Sequence, residues 1–212
     1  KLRQALTSTI KVISDNLEIN QFKKDDKNKL DFFELEDIKG KINFTKARAE
    51  ADSSALKKKF SNNEIFRKNL PSNSSCKSLY AIAEKIRYET LGGKMLKGIE
   101  KNLRENYNQI IDQKRIDQVK SKEDVPVNEA FELYMLKNFY NIELNSLCSK
   151  MLSFWEKDFN ESIRNHLNFL KDNLENQNIY SSKFSEILDQ MDIFQTENEE
   201  ENKDENEENN QN

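Results

Sequence analysis

Apolar residues recur every three or four positions at the start of the chain and predict an amphipathic helix from Leu2 to Ile13. The spacing is looser across residues 38–69, which we interpret as weakly helical with an interruption at Asn62-Asn63. Residues 70–75 form a predicted loop that supplies N-cap residues for the next helix. Sharper stripes follow on either side of Leu91-Gly92-Gly93. Their members are Leu79, Ile82, Ala83, Ile86, Met95, Ile99, Leu103 and Tyr107.

The period changes between residues 17 and 35, where apolar residues alternate with polar ones or run together around a lysine-rich centre. Alternation is typical of strands, so this segment predicts a small β-hairpin. Elsewhere the chain has only two prolines and four glycines, which favours long helices. We therefore expect a mainly α protein, an irregular helical bundle with a small β-hairpin near the N-terminus.

The second half of the chain also reads as helical. Asp124-Val125-Pro126 predicts a helix start, because proline is tolerated in a first turn. The longest apolar stripe covers residues 144–174 and predicts one helix of about eight turns, with the lone Trp155 in the core. Tyr180 to Met191 predicts a last helix. We expect residues 1–196 to form one helical domain.

Charge is unevenly distributed along the chain. Eight acidic residues and one lysine give residues 197–212 a net charge of −7, whereas the whole chain carries −4. Without an apolar residue this run cannot offset the entropy of ordering, so we expect a disordered acidic linker. The remaining residues are nearly neutral, which argues against a nucleic-acid partner. No run of about 18 apolar residues predicts a membrane span.

Residues able to do chemistry are scarce. His166 and the distant thiols of Cys76 and Cys148 do not have zinc-ligand spacing, and we expect two buried cysteines and a partly packed histidine. A phosphate-binding loop has a lysine and then a serine or threonine directly after its second glycine. The segment Gly93-Lys94-Met95-Leu96-Lys97-Gly98 is followed by Ile99 and Glu100 instead, so it does not match that pattern. We expect no active site, no metal and no cofactor within this chain.

One group of residues stands above this background. Glycines 92, 93 and 98 fall where the rhythm is helical, and each costs roughly 1 kcal/mol of helix propensity. Glycine allows close packing, or it breaks a helix so that the halves can diverge. Close packing inside the bundle and a crevice that faces a partner or ligand both remain open. Glu84 and Arg87, three positions apart, could pair on this helix.

The segment resembles the N-terminal region of the T subunit of aerobic, ATP-dependent cobaltochelatase. Residues that match its pattern are Glu84, Arg87, Glu89, Gly92, Met95, Gly98, Ile99, Asn102 and Leu103. Ala51 to Leu56 and Asp124 to Ala130 resemble two further segments of that family, in the same order. The candidate interaction or structural motif therefore comprises Glu84, Arg87, Glu89, Gly92, Gly93, Gly98 and Asn102.

The resemblance implies a role without catalysis in this piece. A T subunit pairs with an AAA+ ATPase subunit, and together they act on a large chelatase subunit that inserts Co²⁺ into hydrogenobyrinic acid a,c-diamide during cobalamin biosynthesis. It implies that ATP and Co²⁺ are used by partner subunits, in a cytoplasmic oligomeric complex without nucleic acid or membrane. We expect a C-terminal von Willebrand A domain beyond the acidic linker, outside the given sequence.

Two competing functions remain open at this point. A helical scaffold or adaptor unrelated to chelatases would share the apolar stripes but not the spacing from Glu84 to Leu103. A small-ligand binder would instead line a pocket with Glu84, Arg87 and Glu89.

Overall fold

The computed structural model describes residues 2–15, 43–113 and 119–191. Within these ranges the regular structure is helical and contains no strand, which confirms a mainly α protein. The hairpin predicted over residues 17–35 lies outside the described residues, so the structure gives it no support. The acidic run 197–212 lies outside them as well.

Ten α-helices are labelled here in chain order for the described part of the chain. They are α1 (Leu2–Ile13), α2 (Phe44–Phe60), α3 (Asn63–Lys68), α4 (Ser74–Met95), α5 (Lys97–Gln113), α6 (Val127–Met135), α7 (Ser146–Ser153), α8 (Glu156–Ile163), α9 (Leu167–Asp172) and α10 (Gln177–Asp189). Short 3₁₀ turns occupy Lys122–Asp124 and Arg164–His166, and a π-helix continues α6 over Leu136–Tyr140.

The chain divides into two compact units. Among the described residues, unit 1 comprises 2–15, 43–62 and 85–113, and unit 2 comprises 63–84 and 119–191. Helix α4 contributes residues 74–84 to unit 2 and residues 85–95 to unit 1.

In unit 1, helix α2 packs against both α1 and α5. Its buried residues are mostly small, and they spread around the helix instead of forming one stripe: Ala47, Ala49, Ala51, Asp52, Ala55 and Leu56. Helices buried on more than one side lose the single apolar stripe of a surface helix. This explains why residues 38–69 look only weakly helical in the sequence, although α2 is a regular helix of 17 residues.

Unit 2 is built on an aromatic core. The Phe131 ring lies 5.5 Å from that of Phe159 and 6.0 Å from that of Phe184, both in edge-to-face geometry. Tyr134 and Tyr180 extend the cluster at 5.4 and 5.6 Å from Phe159 and Phe184, respectively. Such pairs stabilise a core beyond the area that they bury.

Two predicted helix boundaries agree closely with the structure. Helix α4 begins after Asn73, whose side-chain oxygen accepts from the backbone N–H of Ser75 at 2.8 Å, so the predicted loop does supply the N-cap. Helix α6 begins directly after Pro126, as proposed from the proline.

The single long helix predicted over residues 144–174 is wrong. The segment forms α7, α8, a 3₁₀ turn and α9, with the first break at Phe154 and Trp155. Trp155 is half-buried, and its indole N–H donates to the carbonyl of Val125 at 3.0 Å while Lys122 lies over its ring. Because these contacts come from 30 residues away, no local breaker signals this break.

Both cysteines are buried free thiols, as the sequence predicts. None of the helices in the described ranges is long and apolar enough to cross a bilayer.

Candidate functional site

Helix α4 runs through Gly92 and Gly93 without a break and ends at Met95. The idea that these glycines interrupt the helix is therefore wrong. Gly92 instead accommodates a neighbour, because a Cβ atom there would lie 2.3 Å from Cδ1 of the buried Leu56 on α2. Close packing, the first of the two roles considered for these glycines, accounts for Gly92.

The other two glycines differ from Gly92 and from each other. A Cβ at Gly93 would lie 3.4 Å from Cβ of Glu100, a tight contact with the first turn of α5. At Gly98 an added Cβ would meet none of the described residues within 4 Å, and Gly98 itself is exposed. Packing among the described residues of unit 1 therefore does not explain a glycine at this position.

Glu84 belongs to unit 2, where it joins α4 to α10. Its carboxylate accepts from the side-chain amide of Gln177 at 2.8 Å and from the hydroxyl of Ser181 at 3.4 Å. The hydroxyl of the neighbouring Tyr180 donates to the Ala83 carbonyl at 3.0 Å. All four side chains are buried, so this contact is part of the unit 2 core.

Arg87 caps the C-terminal end of α2. It is buried, and its guanidinium donates to the Phe60 carbonyl at 2.5 Å and to the Ser61 hydroxyl at 3.4 Å. A cation at the C-terminus of a helix satisfies free carbonyls and interacts favourably with the helix dipole. Arg87 thus fixes the position of α2 relative to α4 within unit 1.

Glu89 joins three helices of unit 1. Its carboxylate accepts from the Ser53 hydroxyl of α2 at 2.5 Å and from the Tyr107 hydroxyl of α5 at 2.6 Å. The ammonium of Lys85 lies 5.2 Å from the centre of the Tyr107 ring. Both hydrogen bonds are short and lie on a buried side chain, so this carboxyl group links α2, α4 and α5.

Asn102 makes a further polar contact between α5 and α2. Its side-chain amide donates to the carboxyl of Asp52 on α2 at 2.7 Å. Burial raises the pKa of Asp52, and the hydrogen bond from Asn102 and the charge of Arg48 partly oppose that rise. Asp52 and Ser53 therefore connect α2 to the motif on successive positions.

The structure thus brings most motif residues into internal contacts. Glu89, Arg87, Gly92 and Asn102 hold α2, α4 and α5 together, and Glu84 serves unit 2. Their partners were missed as a group by the sequence: Asp52, Ser53, Leu56, Tyr107, Gln177 and Ser181. Tyr107 gave a signal as a member of an apolar stripe, and Asp52, Ser53 and Leu56 gave one through the small-residue segment that resembles the chelatase family.

Unit 2 also contains a cavity of about 290 Å³ lined by His166, Asp158 and Glu161 together with Ile187 and Met191. His166 is half-buried, and Asp158 accepts from the Lys122 ammonium at 2.7 Å. Across the residues that the structure describes, no three histidine, cysteine or carboxylate side chains come together to hold a metal.

These observations define a helical protein whose distinctive motif organises its own packing. The family model described as cobalamin biosynthesis protein CobT matches residues 1–212, the full given sequence. The chain therefore belongs to the CobT family, a cobaltochelatase subunit family of cobalamin biosynthesis, in agreement with the resemblance found in the motif. No curated protein and no solved structure matches the chain.

Proposed function

We propose that this chain is a non-catalytic part of ATP-dependent cobaltochelatase that docks an AAA+ ATPase subunit. In this proposal ATP hydrolysis and insertion of Co²⁺ into hydrogenobyrinic acid a,c-diamide take place on partner subunits. The observation that carries the proposal is the match of the CobT family model to the whole chain. An adaptor unrelated to chelatases would not be expected to match it.

The contacts of the motif support a scaffolding role for it. Glu84, Arg87 and Glu89 are buried and hydrogen-bonded to protein groups, which gives a ligand little to bind. A partner must therefore be bound by exposed side chains that this framework holds in place. The competing interpretation of a small-ligand pocket gains nothing from these positions.

The acidic residues 197–212 have a separate part in the proposal. They serve as a linker that keeps a following domain close to the docked ATPase. A tether between two binding modules raises the effective concentration of the second binding event without adding contacts.

A binding measurement with purified components tests the docking. The chain of residues 1–212 is immobilised and titrated with the AAA+ ATPase subunit of the same host, with ATP, with ADP and without nucleotide. We expect saturable binding in at least one of these states. No binding in all three states, by a chain that shows a cooperative melt, would contradict the proposal.

The substitution Arg87→Ala tests, in the same assay, whether Arg87 acts through the packing of the helices or by direct contact with the partner. Because Arg87 is buried against the end of α2, the variant should lose helical stability and binding together. A variant that melts like the wild type but no longer binds would show instead that Arg87 contacts the partner directly.

A further inference from the structure

We propose that the turn between α4 and α5, Lys94 to Gly98, is the surface that binds the ATPase, and that its occupant is an acidic segment carrying apolar side chains. This inference rests on the docking function proposed above and adds the surface and the chemistry of the partner. All five residues of the turn are exposed, and they connect two helices whose packing is fixed by the Glu89 contacts.

The centre of the turn is apolar. Met95 is 39% exposed and Leu96 is 49% exposed, on adjacent positions at the end of α4. Leu96 is held in place by its own backbone, since its N–H donates to the Gly92 carbonyl at 2.9 Å and its carbonyl accepts from Ile99 at 3.0 Å. A rigid presentation of two large apolar side chains lowers the entropy cost of binding a partner.

Gly98 gives a second, independent reason to place the binding surface at this turn. Its backbone does not require glycine, and an added Cβ would meet nothing within 4 Å in the part of the chain that the structure describes, yet glycine in a helix costs stability. Glycine also permits close approach of another backbone. Met95 and Gly98 are the two residues of the family-like motif that internal packing leaves exposed, so a partner that approaches this turn explains both.

The charges around the apolar centre decide the chemistry of the occupant. Lys94 and Lys97 flank it, and Lys101 and Arg104 follow on α5, against the carboxylates of Glu100 and Glu105. Lys97 and Arg104 pair with Glu100 at 2.9 and 3.7 Å, and Lys101 pairs with Glu105 at 3.7 Å. Such pairs between exposed or half-exposed side chains contribute little and open easily. The excess of positive charge fits an acidic segment, which electrostatic complementarity would guide to the turn.

The decisive experiment compares variants of the turn with matched variants elsewhere on unit 1. The 1–212 chain is titrated with the purified ATPase subunit in the nucleotide state that binds the wild type best. Met95→Gln combined with Leu96→Gln should weaken the affinity by roughly tenfold or more, because exposed apolar anchors at an interface centre carry much of the binding energy. Ile110→Gln, on α5 and 41% exposed, is the control and should leave affinity unchanged.

Gly98→Ala provides the sharpest single substitution. The structure has room for the methyl group, so the melting temperature should be unchanged or higher. Binding should nevertheless weaken severalfold if a partner backbone lies against this position. Unchanged affinity would exclude close approach at Gly98 and overturn the proposal.

Charge reversal tests the chemistry of the occupant. Lys94→Glu with Lys97→Glu should weaken binding and flatten its dependence on salt, whereas Lys57→Glu with Lys58→Glu, an equal change at exposed positions on α2, should do neither. Equal losses from both pairs would indicate a non-specific charge effect and would contradict an acidic occupant at the turn.

The remaining outcomes separate this inference from the docking function. If the wild type does not bind, both proposals fail. If it binds and the turn variants bind equally well, only the surface assignment fails. A melting temperature lowered by Leu96→Gln more than by Ile110→Gln would place the turn against the chain itself, and a changed oligomeric state of the chain alone would make it a self-interface. Either result would overturn the proposal.

Discussion

Two buried glutamates on α4 hold different parts of the protein together in different ways. Glu89 in unit 1 accepts from hydroxyls on two other helices, Ser53 of α2 and Tyr107 of α5. Glu84 in unit 2 accepts from two side chains of a single helix, Gln177 and Ser181 of α10. The first carboxylate is a junction of three helices, and the second is a clamp between two.

The difference teaches where the motif matters most. Removing the Glu89 carboxyl group takes an acceptor from donors on two other helices, whereas removing the Glu84 carboxyl group takes an acceptor from donors on α10. The Glu89 region is also crowded, since Leu56 fills the space that Gly92 leaves free three residues further along α4. We therefore expect unit 1 to be the more sensitive of the two regions to substitution.

The largest effect should come from Glu89→Ala. Removing the carboxylate leaves the buried Tyr107 hydroxyl and the Ser53 hydroxyl without this acceptor, and it opens a gap between α2, α4 and α5. A buried hydrogen-bonding group that loses its partner costs about 1 to 3 kcal/mol, and two such groups are affected here. Urea unfolding measures the loss, and hydrogen exchange should rise in α2 and α5.

Glu84→Ala is the matched control for that experiment. In this variant hydrogen exchange should rise in α10. The loss in free energy of unfolding should be smaller than for Glu89→Ala. A larger loss for Glu84→Ala than for Glu89→Ala would reverse the ranking of junction and clamp.

Gly92→Ala should have the next largest effect. The new methyl group would overlap Leu56, which is fully buried and has little room to move, and overpacking of a core costs about 1 to 3 kcal/mol. Thermal and urea unfolding measure it. Gly98→Ala adds the same methyl group in open space and serves as the control.

A double substitution can test whether Leu56 is the residue that overlaps the new methyl group at position 92. Leu56→Ala alone opens a cavity, but combined with Gly92→Ala it should cost less than the sum of the two single changes. Strict additivity would mean that Leu56 is not what excludes a side chain at Gly92.

The sequence predicted the elements of this region better than its contacts. Spacing alone indicated the helices around Glu84 to Leu103, and the cost of three glycines in a helix marked the motif. The partners could not be found in this way, because Ser53 and Tyr107 lie 36 and 18 residues from Glu89 and Gln177 lies 93 residues from Glu84. Hydrogen bonds between distant residues leave no local pattern.

Helix lengths failed for a related reason. Residues 144–174 have the strongest stripe in the chain yet form three short α-helices. At the first break, the Trp155 indole donates to the carbonyl of Val125, a residue far away in the sequence. Residues 44–60 have a weak stripe yet form one helix, because alanines allow neighbours on several sides. Periodicity reports how many faces are buried, and it does not report whether the backbone is continuous.

Gln177→Ala should have a smaller effect and should probe the clamp from its other side. Glu84 keeps its hydrogen bond from Ser181, so we expect a loss of about 1.5 kcal/mol, the usual scale for one hydrogen bond to a charged group. Hydrogen exchange followed by mass spectrometry should show the change in α10 and no change in α2. Equal loosening of α2 would break the distinction between the two regions.

Asp52→Asn should have the smallest effect at neutral pH, and its sign is informative. Burial raises the pKa of Asp52 above its ordinary value of 3.8, so the folded protein binds this proton more tightly than the unfolded chain. The stability from the protonated form is therefore present at low pH and is lost as the pH rises through the raised pKa. Asparagine cannot ionise, yet its amide oxygen can still accept from Asn102.

The variant should accordingly be at least as stable as the wild type at neutral pH, and its advantage should shrink as the pH falls toward 3.8. Urea unfolding of both proteins across this pH range gives the difference in their free energies of unfolding. The other titrating groups are the same in both proteins, so their contributions cancel in this difference. A variant less stable than the wild type at neutral pH would mean that the charged carboxylate of Asp52 is an essential acceptor for the Asn102 amide.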